Sequence, residues 1–241
     1  MKENNEREAG LQRLTLQNIS AANQHYIVTH FIAEDIKSAA STFAKGKLLD
    51  IGCGNKPYYS FFKELVTEYT GCDIIQSSDN VVDLLCPADD LHFENDYFDT
   101  VFSTQVIEHV ANHHEMLKEA WSVLKKDGYA IFTAPFCWEL HEEPYDFFRF
   151  TKYGLMDIFE KNGLEIVKIK SNGGKWAALF QLALNTLYST RRFNTFRSRL
   201  IKLLFIRLKF VVLYNKFVIW LDRRFFDDIL TLNYIIIAKK K

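Results

Sequence analysis

Residues 135–151 read PFCWELHEEPYDFFRFT and combine more ionisable and aromatic side chains than an ordinary loop contains. His141 is the first candidate for a general base on a hydroxyl, because imidazole titrates near neutral pH. Arg149 is a candidate for holding a carboxylate or phosphate of an acceptor. Tyr145 is a candidate for covering the reacting group. The stretch therefore predicts a site that positions an acceptor and removes its proton.

The same residue types also fit a structural lid. In that alternative, Glu142 or Asp146 pairs with Arg149 and the aromatic side chains belong to the core. His141 then orients an acceptor without taking a proton. Both alternatives place the stretch beside a ligand, since it follows a predicted strand whose carboxyl end lies next to the pocket expected at the first strand-to-helix corner.

That corner occurs in residues 47–57, KLLDIGCGNKP. Gly52 and Gly54 allow a sharp turn and a close approach of the backbone to a ligand. Pro57 suits the first turn of a helix, but it occupies the place of the third glycine in a dinucleotide-binding GxGxxG pattern. Asp73 ends the next strand, and its carboxylate can accept two hydrogen bonds from a ribose diol. A diol-binding acid without the pyrophosphate-binding glycine predicts a nucleoside ligand that lacks phosphates.

Strands alternate with helices along the chain, which predicts an α/β fold with a mostly parallel sheet covered on both faces. Helices are expected at residues 11–44, 58–65, 113–125 and 151–163. Strands are expected at residues 47–51, 68–72, 81–84, 100–103, 129–133, 164–170 and 232–238. The last two strands can pair antiparallel at the edge of the sheet.

Composition limits the class of protein. The 241 residues contain 48% hydrophobic and 25% charged residues, which suits one large domain with a sizeable core. The formal net charge is zero, so overall charge argues neither for nor against a nucleic-acid partner. The four cysteines form no CxxC pair, and we predict neither a metal site nor a disulfide framework, which fits a cytoplasmic protein. The sequence contains no uninterrupted run of about 18 apolar residues, so we predict no membrane-spanning helix.

A basic, aromatic segment covers residues 175–228, where eleven Lys and Arg face only three Asp. Lys202, Lys209, Lys216 and Arg223 recur every seven positions, so a helix would place them along one narrow stripe. We expect this helix to lie on an anionic membrane surface, at the inner face of the cytoplasmic membrane. The alternative is that its apolar face packs on the body of the protein or builds a homodimer. Nucleic-acid binding is disfavoured, because much of the segment is aliphatic.

The motifs LLDIGCG, the strand-ending Asp73 and DDLHFENDYFDTVFSTQVIEHV resemble the class I S-adenosylmethionine-dependent methyltransferases, in the type 11 branch. The resemblance implies a doubly wound, seven-stranded, Rossmann-like sheet of order 3-2-1-4-5-7-6. We predict a methyltransferase domain at residues 47–174 and 229–241. Residues 1–46 would be an N-terminal helical extension, and residues 175–228 a helical insertion before the last strand.

The resemblance also implies roles for single residues around S-adenosylmethionine. The first corner would surround the methionine portion, and the end of the second strand would bind the ribose. A loop at residues 89–93 would lie along the adenine, although Pro87 stands where relatives often carry an adenine-binding aspartate. The predicted cofactor-binding residues are Asp50, Gly52, Cys53, Gly54, Asp73, Ile74, Asp89, Asp90, Leu91, Gln105 and His109. Cys53 is expected to pack rather than react.

These features predict transfer of a methyl group to a hydroxyl, or an amine, of a small-molecule, sugar or lipid-linked acceptor. Similar methyltransferases of bacterial surface-glycan pathways carry a comparable HEEPYDFFR-like run, which suggests a role in glycan biosynthesis. One alternative is a non-catalytic, membrane-associated scaffold with the same fold. A nicotinamide-linked oxidoreductase is a second alternative, which Pro57 disfavours.

Overall fold

Seven strands form a single sheet in the order β3-β2-β1-β4-β5-β7-β6, in a computed structural model that describes residues 20–77, 79–188, 203 and 210–241. The strands are β1 Lys47–Ile51, β2 Glu68–Asp73, β3 Leu84–Leu85, β4 Phe98–Thr104, β5 Leu124–Pro135, β6 Leu164–Asn172 and β7 Asn233–Lys240. The strand β7 runs antiparallel to both β5 and β6, whereas the other pairings are parallel. The predicted fold class and strand order are confirmed.

Six α-helices within the described residues flank the sheet. They are α1 Tyr26–Phe43, α2 Tyr59–Phe62, α3 His113–Val123, α4 Lys152–Lys161, α5 Lys175–Tyr188 and α6 Phe210–Arg224. A short 3₁₀ helix, Ile107–His109, follows β4. The predicted start and end of α4 are confirmed: the Thr151 hydroxyl accepts a hydrogen bond from the N–H of Gly154, and Gly163 has a φ of 81°.

The core has two layers, because successive side chains of a strand point to opposite faces. Leu49 of β1 and Val101 of β4 pack in the layer of α3 and α4. Their neighbours Leu48 and Phe102 pack in the layer of α1, α2, α5 and α6. Both layers are needed to cover a parallel sheet, whose strands are apolar on both faces.

Three predicted helix boundaries differ from the structure, and the strand expected at residues 81–84 is instead the two-residue β3, Leu84–Leu85. The helix expected at residues 58–65 has only one α-helical turn, because the N–H of Leu65 bonds to the carbonyl three residues earlier, at Phe62. The helix expected at residues 113–125 ends at Val123, and Leu124 already pairs with β4 as the first residue of β5. The N-terminal helix begins at Tyr26, and residues 11–19 lie outside the described residues.

The helices α5 and α6 rest on the body of the protein. Ala177 and Val218 are fully buried in the same layer as α1. The carboxylate of Asp222 accepts hydrogen bonds from the N–H groups of Gly174 and Ala177, both at 2.9 Å, so it caps the start of α5. Of the described helices, none combines the length and apolar character that crossing a lipid bilayer requires.

Candidate active site

The carboxyl ends of β1, β2, β4 and β5 lie along one edge of the sheet, since these strands are parallel. At the end of β1, the N–H groups of Gly52 and Cys53 both donate to the carbonyl of Cys72 at the end of β2. The φ angles of Gly52 and Gly54 are 72° and 50°, a region that residues with a Cβ rarely adopt. The corner therefore turns sharply, as predicted from its two glycines.

Gly52 is also required by packing. A Cβ at this position would lie 2.4 Å from Cγ2 of Val106, the residue before the 3₁₀ helix. The cofactor corner thus touches the segment that leads to Glu108 and His109. The tertiary structure therefore gives a second reason for a glycine at position 52, besides the close approach of a ligand: a side chain there would collide with Val106.

Asp73 ties two loops together at the end of β2. Its Oδ2 accepts a hydrogen bond from the N–H of Gly54 at 3.0 Å, and its Oδ1 accepts one from the N–H of Ile74 at 2.7 Å. The side chain of Ile74 is half exposed beside it. The predicted ribose acid therefore stands next to the glycine corner, where it also holds the corner in shape.

Asp50 is buried at the end of β1. Its Oδ2 accepts a hydrogen bond from the Tyr69 hydroxyl at 2.6 Å, whereas its Oδ1 has no hydrogen-bond partner among the described residues. Burial raises the pKa of Asp50 to about 7. Burial also raises the pKa of the Cys53 thiol, which agrees with a packing role for that side chain.

A buried carboxylate oxygen without a hydrogen-bond partner fits a cationic ligand group, because a buried charge is stable only when it is paired. The α-ammonium of S-adenosylmethionine is such a group, and the glycine corner beside Asp50 leaves backbone rather than side chains facing a ligand. Asp73, one strand further, is a suitable partner for a diol. The residues at this edge therefore fit the cofactor that the sequence predicts.

The predicted adenine loop is anchored to the body of the protein. The N–H of Leu91 donates to the carboxylate of Glu119 on α3 at 2.9 Å, and the side chain of Leu91 is buried. Asp90 is exposed and lies 3.4 Å from Nε2 of His92, whereas Asp89 is half-buried. Glu119 was not identified from the sequence, since it lies 28 residues from the loop that it holds.

Gln105 follows β4 with a φ of 54°, an uncommon conformation for a residue with a side chain. Its side-chain amide donates to the hydroxyl of Thr133 on β5 at 3.0 Å. The hydroxyls of Thr133 and Thr104 are 2.7 Å apart. These contacts hold Gln105 at the edge between β4 and β5, next to the 3₁₀ helix.

Three residues that can bind a proton or a metal ion meet at the 3₁₀ helix, and we call them the Glu108 cluster: Glu108, His109 and His141. The Nε2 atoms of the two histidines are 3.1 Å apart, and Nε2 of His109 is 3.8 Å from Oε1 of Glu108. Glu108 is completely buried, and burial raises its pKa to about 8. Burial and the neighbouring His109 lower the pKa of His141. The sequence placed His109 near the cofactor and His141 near the acceptor, but it did not connect them.

The stretch at residues 135–151 folds back onto this cluster. The N–H groups of Phe147 and Phe148 both donate to the carbonyl of Glu108, and Nδ1 of His109 is 2.8 Å from the carbonyl of Tyr145. The loop therefore covers the 3₁₀ helix and brings His141 to it. The role of the Tyr145 ring in covering the reacting group stays a prediction.

Arg149 is engaged inside the loop. Its guanidinium donates to both carboxylate oxygens of Asp146, at 2.6 and 2.7 Å, and to the carbonyls of Trp138, Glu139 and Phe148. Burial alone would raise the pKa of Asp146. The hydrogen bonds from Arg149 and from the N–H of His141 outweigh burial and lower this pKa to about 2. This is the ion pair of the lid alternative. It leaves the guanidinium occupied with the protein's own oxygens.

The outer face of α5 and α6 has a different character. Leu213, Phe217 and Trp220 of α6 are 64%, 50% and 56% exposed. Lys216 lies among them and lines a groove of about 470 Å³ between α6 and α1. Arg223 forms an ion pair with Glu34 of α1 at 2.8 Å. Lys202 and Lys209, the other members of the predicted basic stripe, lie outside the described residues.

Comparison with known proteins concerns the fold and the family. Residues 49–132, about a third of the chain, match a family model described as a methyltransferase domain. No curated protein sequence matches the chain. Many solved structures share the fold.

Three of these solved structures illustrate its range. The [4+2]-cyclase SpnF has a TM-score of 0.57 and 16% identity, over 88% of this chain and 80% of its own. A complex of the Haloferax volcanii Trm112 methyltransferase activator and a methyltransferase gives a TM-score of 0.54 and 16% identity, over 97% and 93%. The 1,6-didemethyltoxoflavin-N1-methyltransferase of Burkholderia thailandensis, with bound S-adenosylhomocysteine, gives 0.56 and 13%, over 87% and 77%. At these identities the likeness concerns the fold alone.

Proposed function

We propose that this chain is a class I S-adenosylmethionine-dependent methyltransferase, supported by the methyltransferase-domain model that residues 49–132 match, and that it methylates a hydroxyl of a sugar or lipid-linked acceptor beside the Glu108 cluster. One observation carries the choice of acceptor. A buried carboxylate and two imidazoles lie within reach of one another at the carboxyl ends of β4 and β5, next to the corner that fits the cofactor. A neutral amine attacks before it loses a proton, whereas a hydroxyl is a poor nucleophile until its proton is removed.

The residues of the chain divide the work between holding and deprotonating. Asp50, Gly52, Gly54 and Asp73 would hold the cofactor, which would supply a methyl group on a positively charged sulfur. The acceptor oxygen would take that methyl group, and the sulfur would leave as a neutral thioether. The hydroxyl proton leaves at the Glu108 cluster. Positioning of the two reactants supplies most of the remaining acceleration.

We assign Arg149 and Asp146 a positioning role. Their bidentate ion pair lies inside the loop, and the N–H of His141 donates to Asp146 at 2.9 Å. The pair therefore sets where the His141 ring lies, instead of binding an acceptor carboxylate or phosphate. His141 itself remains the residue that we expect to act on the acceptor proton.

We also propose that the outer face of α6 attaches the enzyme to anionic membranes, where a lipid-linked acceptor would be found. Leu213, Phe217 and Trp220 expose apolar surface, and Lys216 and Arg224 lie on the same side of the helix. Exposed aromatic and aliphatic side chains beside basic ones are typical of helices in the membrane interface. The buried face of α6 packs on the body of the protein, so only its outer face would meet the membrane.

The test of the acceptor is direct. The full-length protein is incubated with methyl-labelled S-adenosylmethionine and with extracted cell-envelope lipids and glycans, and the products are analysed by mass spectrometry. We expect a methyl ether in the lipid-linked or glycan fraction that is absent with the His141→Ala variant. A methyl group found only on nitrogen would refute the hydroxyl acceptor.

A further inference from the structure

The Glu108 cluster has the geometry of a cation site. One ligand atom from each of Glu108, His109 and His141 can be chosen so that all three lie within 4.8 Å of one another. The Nε2–Nε2 distance of 3.1 Å and the Nε2–Oε1 distance of 3.8 Å are close to the separation of about 3.3–3.5 Å that tetrahedral ligands have at bond lengths of about 2.0–2.1 Å. The third pair, His141 and Glu108, lies within the 4.8 Å limit, so these side chains would move closer together to share one ion.

The far sides of both imidazoles are held in a way that suits ligands. Nδ1 of His109 is 2.8 Å from the carbonyl of Tyr145, and a carbonyl can only accept, so this nitrogen carries the proton and Nε2 has the free lone pair. Nδ1 of His141 is 3.2 Å from the carboxylate of Asp146 and 3.3 Å from the carbonyl of Glu139, which can accept its proton, and 3.4 Å from a guanidinium nitrogen of Arg149, which can only donate. Metal-binding histidines commonly donate their other N–H to a carbonyl or a carboxylate.

Glu108 is the second, independent observation. It has no exposed surface, and neither oxygen of its carboxylate has a hydrogen-bond partner among the described residues. Buried polar atoms are almost always satisfied. A single hydrogen bond between the two imidazoles would account for their contact, but it would leave both oxygens of Glu108 without a partner. A cation between the three groups would give a partner to both imidazole nitrogens and to an oxygen of Glu108.

We propose that Glu108, His109 and His141 bind one divalent transition-metal ion of the zinc class. Two imidazoles and one carboxylate are a ligand set of zinc and non-haem iron sites, and three protein ligands leave at least one position open. The cysteines do not contribute, because Cys53, Cys72 and Cys86 are buried in packing contacts and the partly buried Cys137 packs against the layer of α1. The site combines a residue pair after β4 with a histidine 32 positions later.

The role of the ion rests on the proposed function. A cation at the open position lowers the pKa of a hydroxyl that approaches it, as it does for water. The hydroxyl proton then passes to solvent, the oxygen forms the bond to the methyl carbon, and the C–S electrons stay on sulfur. His141 thus acts on the acceptor proton as a ligand of the ion and not as a Brønsted base.

Metal binding is measured on the full-length chain, without reference to activity. The protein is stripped with a chelator and titrated with Zn²⁺ by calorimetry and with Co²⁺ by visible absorption. We expect one ion per chain, and Glu108→Gln and His141→Asn should each weaken Zn²⁺ binding by at least about 10–100-fold, the loss already seen when only a supporting contact is removed. Glu142→Gln and His114→Asn are matched controls outside the cluster and should bind Zn²⁺ like the parent protein.

Two outcomes overturn the site: no Zn²⁺ binding by the parent protein, or binding that Glu108→Gln and His141→Asn leave intact. Thermal unfolding and S-adenosylmethionine affinity report whether each variant folds. His141 lies in a half-buried loop, so His141→Asn keeps the test valid if Glu108→Gln does not fold. Full methyl transfer by metal-free enzyme would refute the role of the ion and leave the hydroxyl acceptor standing. Zn²⁺ binding at the cluster with methylation only of amines would refute the acceptor and leave the site standing.

Discussion

The carboxyl edge of the sheet and the outer face of α6 have opposite mismatches with their surroundings. At the edge, polar atoms of Asp50 and Glu108 are buried and lack hydrogen-bond partners among the described residues. On α6, the side chains of Leu213, Phe217 and Trp220 are at least half exposed to water. Each arrangement costs free energy in the isolated protein.

The difference indicates two kinds of partner. A buried carboxylate without a hydrogen-bond partner can pair with a small cationic ligand or a metal ion that binds at the carboxyl edge of the sheet. An exposed surface with both apolar and basic side chains can instead bind an extended partner such as an anionic lipid bilayer. Under the proposed function, one region serves the chemistry and the other serves membrane attachment, and variants of one should leave the other unchanged.

The largest effect is expected at the edge. His141→Ala should lower turnover by about 10²–10⁴-fold, because it removes the residue that acts on the acceptor proton. The affinity for S-adenosylmethionine, measured by calorimetry, should stay nearly the same, and so should the binding to liposomes. His114→Ala is the matched control. Loss of cofactor affinity together with turnover would favour the structural-lid alternative.

A second effect at the edge concerns the cofactor. Asp73→Ala should lower the affinity for S-adenosylmethionine by at least about tenfold, because hydrogen bonds to a charged acceptor contribute about 1.5–3 kcal/mol each. Asp73 also accepts from the N–H groups of Gly54 and Ile74, so Asp73→Asn, which keeps one acceptor oxygen, is the necessary comparison. Calorimetry that finds equal affinity in both variants and in the parent protein would eliminate Asp73 as a cofactor residue.

The burial of the Asp50 carboxyl predicts that the free energy of unfolding of the protein depends on pH. Burial raises its folded-state pKa to about 7, whereas an unfolded aspartate titrates near about 3.9. The folded protein therefore binds more protons than the unfolded chain between these values, and this contribution to stability falls as the pH rises from about 4 to about 7. The slope is at most about 1.4 kcal/mol per pH unit.

Denaturant unfolding of the parent protein and of Asp50→Asn over this pH range measures the effect. We expect the stability of the variant, relative to the parent, to increase toward pH 7, because the amide has no charge to bury. Saturating S-adenosylmethionine should reduce the difference by pairing the carboxylate of the parent. If the free energies of unfolding of the two proteins change with pH in parallel, the carboxyl of Asp50 is not buried from water in solution.

The smallest effect is expected on α6. Lys216→Glu should weaken sedimentation with anionic liposomes by about fivefold or more, since one basic residue near such a surface contributes about 1 kcal/mol. Lys118→Glu on α3, in the opposite layer, is the matched control. Methyl transfer to a soluble acceptor should be unaffected. Equal sedimentation with neutral and anionic liposomes would contradict an electrostatic contribution.

Point variants are preferable to deletion of the segment. Removal of residues 176–228 would take away Ala177, Val218 and Ile219, which belong to the core layer of α1. It would also remove Asp222, which caps the start of α5. A deletion variant would therefore lose part of the core layer of α1 together with the proposed membrane-binding face.

The sequence alone determined the strands, their order through the family resemblance, and the glycine corner. Alternation of apolar residues and the positions of Gly52, Gly54 and Gly163 report local backbone geometry, which few distant contacts can change. The packing role of Cys53 and the end of α4 at Asn162 followed from the same local rules. The boundaries of α3 and β5 did not, because Leu124 is apolar in either structure and only pairing with β4 makes it a strand.

Only the tertiary structure decided which polar groups meet. Glu108 and His141 are separated by the whole of α3 and β5, and their meeting depends on how residues 135–151 return to the 3₁₀ helix. That path is set by the Asp146–Arg149 pair and the carbonyl of Glu108, and no periodicity in the sequence reports it. Likewise, the division of α6 into a packed and an exposed face depends on where α1 lies. Contacts between distant side chains follow the trajectories of loops, and this is the physical reason why the chemistry was harder to predict than the fold.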